Sequence, residues 1–294
     1  MRYLARTWPA LIGAAALAWV FFAFDWALAI AALARIDPWS LLPRLALISL
    51  GIYVSSTARW IALNGLPWRW RVLHDVQTYV AITLAIGLAT PMQVGEALKV
   101  KYARDGGVSL GASATKLVLE RLLDLACVAA LAGAGLLQRL GVPPAVALLL
   151  LALPLLVLAL SVLVPLRLRA GSRIAGWIGP PLPIGAVCIT AIATAAKWAL
   201  TLWLWLSLLA AIGITPGIWQ GMMLVGLVAL AGIVSMVPAG LGVQEVSAAV
   251  LLAAMGYPAG QAEAGALALR LLLPVMLVVG LAHWPLLRRR ARLI

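Results

Sequence analysis

Six long apolar runs constrain the fold of this chain more than any other feature of its sequence. Each run is long enough for the roughly 20 residues that one membrane-spanning helix needs. The runs are Trp8–Ala34, Trp39–Asn64, Gly111–Leu136, Ala145–Leu166, Ile184–Ile212 and Gln261–Leu286. Because 65% of the residues are hydrophobic and only 11% are charged, no room remains for a sizeable soluble domain. The sequence therefore predicts one all-α polytopic membrane domain over residues 1–294.

Two further apolar segments, Val76–Arg104 and Gly217–Met255, are interrupted in the middle by proline and glycine. The first breaks at Pro91 and the second at residues 238–242. Basic residues stand on both sides of the first segment, and such residues favour the cytoplasmic face. Both segments are therefore predicted to be re-entrant helical hairpins that enter from opposite faces, with cytoplasmic N and C termini. Eight spanning helices, two of them strongly kinked, are the alternative.

An internal repeat relates the two halves of the chain. Glu96 and Glu245 are 149 residues apart, and Arg121 and Arg270 have the same offset. Proline and glycine precede both glutamates, and the break residues are Pro91, Gly95, Pro238, Gly240 and Gly242. The offset predicts pseudo-repeat halves at about 1–143 and 144–294. An odd number of spans in each half would invert the second half, as in transporters whose interrupted segments meet near the midplane.

Charged residues inside apolar runs are costly in a membrane, so they are the candidates for function. Lys116, Glu120 and Asp124 share one face of a helix, because they are spaced four residues apart. Lys197 is far from both ends of its run, and we expect it to pair with a carboxylate or to bind an anion. Arg270 is predicted to pair across the halves, with a carboxylate of the first half. The predicted substrate-binding residues are Glu96, Glu120, Arg121, Asp124, Lys197, Glu245 and Arg270.

Several other functions are excluded or weakened by the sequence. The net charge of +13 is concentrated in short loops and at the ends of apolar runs, so we reject nucleic acid as a partner. Cys127 and Cys188 stand alone in apolar runs, and no spacing of metal ligands is found. We therefore expect no metal, no cofactor and no catalytic residue.

Two motifs resemble the flippase-like family of the lysylphosphatidylglycerol synthase transmembrane region. The first is Pro91-x-x-x-Gly95-Glu96 with the later Leu119-Glu120-Arg121-Leu122-Leu123-Asp124, and the second runs from Pro238 to Glu245. The family often has arginine where Gln93 and Gln244 stand here. The resemblance implies movement of a polar lipid between leaflets, and it leaves the lipid open between aminoacylated, polyprenyl-phosphate and hopanoid types.

The leading hypothesis is therefore a flippase-like transporter of a phosphate-bearing lipid in a bacterial inner membrane. In this hypothesis Arg121, Lys197 and Arg270 hold the phosphate, and Glu96 and Glu245 hold an amine or a coupling proton. Membrane lipids with anionic or polyprenyl-type headgroups are the expected partners, together with an enzyme that synthesises the lipid. The alternatives are an intramembrane lipid-phosphate transferase or phosphatase, and a non-catalytic membrane partner of a lipid-modifying synthase. Because the chain ends at Ile294, we expect no synthase domain.

Overall fold

The structure is a computed structural model that describes residues 4–34, 36–105, 108–167 and 182–286, and all its regular elements are helical. The first half contains α1 (Leu4–Ala23), α2 (Trp26–Leu33), α3 (Pro38–Asn64), α4 (Trp70–Ala89), α5 (Leu98–Asp105) and α6 (Leu110–Arg139). The second half contains α7 (Pro144–Leu150), α8 (Leu153–Arg167), α9 (Ile184–Ala210), α10 (Ile218–Ser235), α11 (Val243–Ala254), α12 (Ala259–Arg270) and α13 (Leu272–Leu281). The termini that were predicted to be cytoplasmic, residues 1–3 and 287–294, lie outside the described residues.

Six helical stretches of the described chain are long and apolar enough to cross a membrane, and two of them consist of two consecutive helices. They are Pro38–Asn64, Trp70–Ala89, Pro144–Leu163, Ile184–Ala210, Ile218–Ser235 and Ala259–Leu286. The prediction of an all-α polytopic membrane protein is thereby confirmed, but these six stretches are not the same as the six predicted runs. Helices α4 and α10 are long and apolar enough to cross a membrane, although the sequence placed them in the interrupted segments. Helix α6, which corresponds to the third predicted run, is not among these six.

Three of the predicted runs are divided into two helices each. Pro154 and Pro274 lack the N–H that would bond the carbonyl group four residues earlier, which explains the interruptions between α7 and α8 and between α12 and α13. The first run is divided at Asp25, whose backbone N–H instead donates to Glu263 Oε2 at 2.7 Å. A prediction based on apolar length alone misses such breaks, because a single polar residue or proline changes the length of a run very little.

Helix α4 and the segment after it form an antiparallel pair. We call residues 90–97 the first elbow, because the chain reverses direction there, mostly in a 3-10 helix. Tyr102 on α5 stacks on Tyr79 of α4 with ring centroids 5.4 Å apart. A Cβ atom on Gly95 would lie 2.9 Å from the backbone nitrogen of Gly87, so glycine permits this close approach. The start of α4 and the end of α5 therefore lie at the same end of the pair.

Helices α10 and α11 form a second pair of the same kind. We call residues 236–242 the second elbow, and it contains a short 3-10 segment at Pro238–Gly240. Glycine is required at Gly242, where φ is +76° and a Cβ atom would lie 2.6 Å from the backbone nitrogen of Leu17 on α1. The 3-10 segments of the two elbows contact each other inside the molecule.

Close helix contacts connect the two halves. Helix α3 packs along α9, and α6 packs along α10, where Gly226 lies against the backbone of Ala132. The core cluster between the halves includes Leu45, Leu204 and Leu252, each of which is at most 1% exposed. These contacts place the charged face of α6 between α3, α5 and α9. The equivalence of the two halves stays a prediction.

Candidate functional site

Two carboxylates on α6 are the centre of a buried cluster of charges. Glu120 is fully buried and Asp124, one turn later, is 8% exposed. Arg59 on α3 reaches both: its Nη2 lies 2.7 Å from Glu120 Oε1, and its Nη1 lies 2.8 Å from Asp124 Oδ1. Because Arg59 is itself fully buried, these two carboxylates are its compensating charges.

Lys99 connects the first elbow to the same helix. Its Nζ lies 2.5 Å from Glu96 Oε2 and 2.7 Å from Glu120 Oε2, and it also lies over the ring of Trp60, 5.1 Å from the centroid. Lys99 is one of the basic residues at the end of the first interrupted segment, yet its side chain is fully buried. It anchors the elbow to α6 by bridging Glu96 and Glu120.

Lys197 brings the second half of the chain into the cluster. Its Nζ lies 2.8 Å from Asp124 Oδ2, and the neighbouring Trp198 donates its indole N–H to Asp124 Oδ1 at 3.1 Å. The prediction that this lysine pairs with a carboxylate is confirmed. The pair joins α9 to α6, so it connects the two halves at the level of the cluster.

Arg121 is the most exposed cation of the cluster. Its Nη2 lies 2.9 Å from Glu96 Oε2 and 3.1 Å from Asp124 Oδ2, and its Nη1 donates to the side-chain carbonyl of Gln93. The side chain is 29% exposed, whereas those of Arg59 and Lys99 are at 0%. The cluster therefore opens to its surroundings at Arg121.

We call these seven charged residues the ionic network. Its members are Arg59, Glu96, Lys99, Glu120, Arg121, Asp124 and Lys197. Four cations face three carboxylates, which gives a formal excess of one positive charge. Each carboxylate accepts from at least two cations, so none of the three lacks a counter-charge. The network is therefore suited to attract one further anionic group.

A separate pair stands at the second elbow. Arg270 Nε donates to Glu245 Oε1 at 2.6 Å, and its Nη1 and Nη2 donate to the carbonyl oxygens of Ala239 at 2.8 Å and Gly240 at 3.4 Å. The prediction that Arg270 pairs across the halves is wrong. Glu245 lies in the first turn of α11, which packs on α12, so the guanidinium reaches the carboxylate of its own half first.

The same pairing recurs in both halves. Glu96 and Arg121 are 25 residues apart and form an ion pair, and so do Glu245 and Arg270. In each half the arginine lies on the second helix after the elbow. The equal spacing was visible in the sequence and was the signal that could have predicted the local pair.

Both elbows contain residues in the left-handed region of backbone conformation. Gln93, Met236 and Ala239 have φ values of 57°, 54° and 53° without being glycine. Such residues cost of the order of 1 kcal/mol or more and persist where the surroundings hold them. At the second elbow Arg270 holds the backbone through its two carbonyl contacts. The predicted break residues therefore lie in two tight turns that the arginines help to fix.

Four residues of the site were missed by the sequence analysis, namely Arg59, Gln93, Lys99 and Trp198. Arg59 lies in an apolar run, where any cation requires a partner, and this was an unused signal. Lys116 shares a helix face with Glu120 and Asp124, but this half-buried residue makes no salt bridge within the described residues. In the same part of the chain, no group of three His, Cys, Asp or Glu side chains is placed to hold a metal ion.

Fold and site together define a multi-pass helical membrane protein with a charged centre and two elbows that meet. A family model, the lysylphosphatidylglycerol synthase TM region, matches residues 7–280, and the chain belongs to this family. Searches of curated proteins and of solved structures found no significant match.

Proposed function

We propose that the protein is a flippase-like transporter that moves a phosphate-bearing lipid between the leaflets of a bacterial inner membrane. The observation that carries the proposal is the excess positive charge of the ionic network, together with the exposure of Arg121 at its edge. Arginine binds phosphate oxygens in a bidentate manner, and lysine contributes a point charge. Membership of a family defined by the membrane region of lipid synthases supports lipid as the substrate class.

The phosphate is held by Arg121 and Lys197 in this proposal. Both cations contact the same oxygen of Asp124, at 3.1 Å and 2.8 Å, so their charges lie close together. Glu96, Glu120 and Asp124 position the cations, because their oxygens already accept from them. Arg270 provides a second position for the phosphate at the other elbow.

The two elbows are proposed to be the tips of re-entrant hairpins that enter from opposite faces. Irregular backbone at membrane depth is tolerated where it is buried in protein or lines a wet cavity. The contact between the elbows and the recurring glutamate–arginine pair support an inverted repeat of the two halves. The headgroup would move along the elbows while the acyl chains stay in the surrounding lipid. A lipid-synthesising enzyme remains the proposed source of the substrate.

Reconstitution with fluorescent lipids tests the proposal. Proteoliposomes that contain the protein should move at least one phosphate-bearing lipid across the bilayer. A hydrogen bond to a charged group contributes about 1.5–3 kcal/mol, so we expect Arg121→Gln to reduce the rate by about tenfold or more. The matched control is Arg44→Gln, since Arg44 is an exposed arginine on α3 outside the network.

The outcomes separate transport from a scaffold role. A folded wild-type protein that moves no lipid of any headgroup would refute the proposal. A scaffold would move no lipid, and Arg121→Gln would change its thermal stability alone. Equal lipid movement by wild type and Arg121→Gln would contradict a phosphate-binding role of Arg121. Transport that falls for Arg121→Gln and persists for Arg44→Gln supports a phosphate-binding role of Arg121.

A further inference from the structure

One carboxylate oxygen at the second elbow has no hydrogen-bond partner. Glu245 is 6% exposed, and Arg270 binds its Oε1, but its Oε2 is buried without a partner among the described residues. The three carboxylates of the ionic network have no such unpartnered buried oxygen. Among the described carboxylates of the two elbows, Glu245 is therefore the one with a buried oxygen that lacks a partner, and this oxygen is a free position for a ligand.

The space beside Glu245 limits what this ligand can be. The side chain lines a cavity of about 20 Å³, together with Gln244, Trp205 and Arg270. A cavity needs about 10–15 Å³ to admit one water molecule, so this one has room for a water and not for an alkylammonium headgroup. The size of this cavity therefore excludes a lipid amine and leaves a proton, delivered through water.

Few other charges face Glu245. Helices α10 and α11 carry no other charged side chain, and none occurs in the part of α1 over residues 14–23. On α12, Arg270 makes the direct contact and Glu263 lies seven residues earlier, bonded to the N–H of Asp25. Across the contact between the elbows, Glu96 is already neutralised by its own partners. Helix α9 contributes Trp205 to the cavity, and its charged residue, Lys197, is bound to Asp124. Among the described residues, Arg270 is therefore the cation that pairs with Glu245.

We propose that Glu245 takes up one proton when a phosphate-bearing lipid binds to Arg270, an inference that rests on the proposed function. The proton adds to Oε2 and converts the carboxylate into a neutral acid. Arg270 then loses its counter-charge and binds the phosphate on the exposed side of its guanidinium, because 22% of the side chain is exposed. The group is neutral before the exchange, with Arg270 and Glu245 charged, and neutral after it, with Arg270 and the phosphate charged. Without the proton, binding would leave a buried excess of negative charge, which is costly.

Binding and protonation must then favour each other, because linkage is reciprocal. The probe is dioctanoyl phosphatidylglycerol, a phosphodiester that keeps its charge over the neutral pH range. Calorimetric titration of the purified protein, in buffers of different ionisation enthalpy, counts the protons taken up with each lipid. We expect about one proton per lipid for wild type. The dissociation constant should fall about tenfold for each unit of pH decrease on the alkaline side of the titration.

Two variants and one control complete the test. E245Q should bind the lipid without proton uptake and without dependence on pH, whereas E245D should retain proton uptake. Glu263→Gln is the matched control, because it removes a carboxylate of α12 outside the second elbow, and it should behave as wild type. Proton uptake that persists in E245Q would overturn the inference.

The number of protons that the wild-type protein takes up with each lipid tests the inference even if E245Q does not fold. Lipid binding without proton uptake would overturn the inference and leave the proposed function intact. Absence of lipid movement in proteoliposomes would instead refute the function, while proton uptake on binding would still support the site at Glu245. The two failures are therefore distinguishable.

Discussion

Replacement of Glu120 by glutamine is the sharpest test of the ionic network. Glu120 is fully buried and accepts from Arg59 and Lys99, with its two oxygens directed to different partners. In Glu120→Gln the volume is nearly unchanged, but one oxygen becomes an NH2 group that faces a cation. A favourable contact between a carboxylate oxygen and a cation is therefore replaced by an unfavourable contact between two hydrogen-bond donors.

The magnitude follows from the charges of the network. Its formal excess rises from one positive charge to two, in a place without solvent screening. Removal of one partner from a buried ion pair costs about 3–5 kcal/mol. Each kcal/mol corresponds to about 2–4 °C in the melting temperature of a domain of somewhat smaller size. We therefore expect Glu120→Gln to lower the melting temperature by about 10 °C.

Thermal unfolding in detergent, followed by tryptophan fluorescence, measures this effect. The half-buried Glu263 provides the matched control, and Glu263→Gln should cost less than about 1 kcal/mol. The double variant Glu120→Gln with Lys99→Met removes one charge of each sign and restores the original excess. It should recover part of the lost stability, because the uncompensated cation is gone.

Two results would contradict this reasoning. One is a melting temperature of Glu120→Gln that equals that of Glu263→Gln. The other is a double variant whose destabilisation equals the sum of those of Glu120→Gln and Lys99→Met, which would mean that the two residues do not interact.

Two further predictions concern packing. Gly226→Ala should lower stability by about 1–3 kcal/mol in the same unfolding assay, because the new Cβ would lie 2.7 Å from Ala132 Cα, whereas Gly185→Ala meets open space and should not destabilise. Tyr53→Phe should cost about 1–3 kcal/mol, because the carbonyl of Met276 loses the hydroxyl donor that lies 2.6 Å from it, and an unchanged melting temperature would contradict this.

The sequence predicted the parts of the site that follow from the cost of a charge in lipid. Lys197 and Asp124 were expected to require partners, and each is a partner of the other. The offset of 149 residues indicated that Glu96 and Glu245, which follow the two breaks in the sequence, are equivalent candidates for function. Both residues lie at the elbows. These predictions succeeded because they depend on the environment of a residue and not on which neighbour packs against it.

The choice of partners could not be predicted in the same way. Arg270 was predicted to pair with a carboxylate of the other half, yet the packing of α11 on α12 brings Glu245 closer. Arg59 and Lys99 were missed for a related reason, since a cation near the end of an apolar run can also reach the interface. Only the packing of α3 and α5 on α6 shows that these two side chains point inward.

The order of the network's charges along the chain has a consequence for biosynthesis. Every member up to Asp124 belongs to the first half, and these six residues are three cations and three carboxylates. The nascent chain can therefore neutralise its own buried charges before the ribosome has translated Lys197. When α9 arrives, its lysine converts an already balanced assembly into a cationic one. The charge balance of the first half thus does not require the second, whereas the positive charge that attracts an anion exists only in the completed protein.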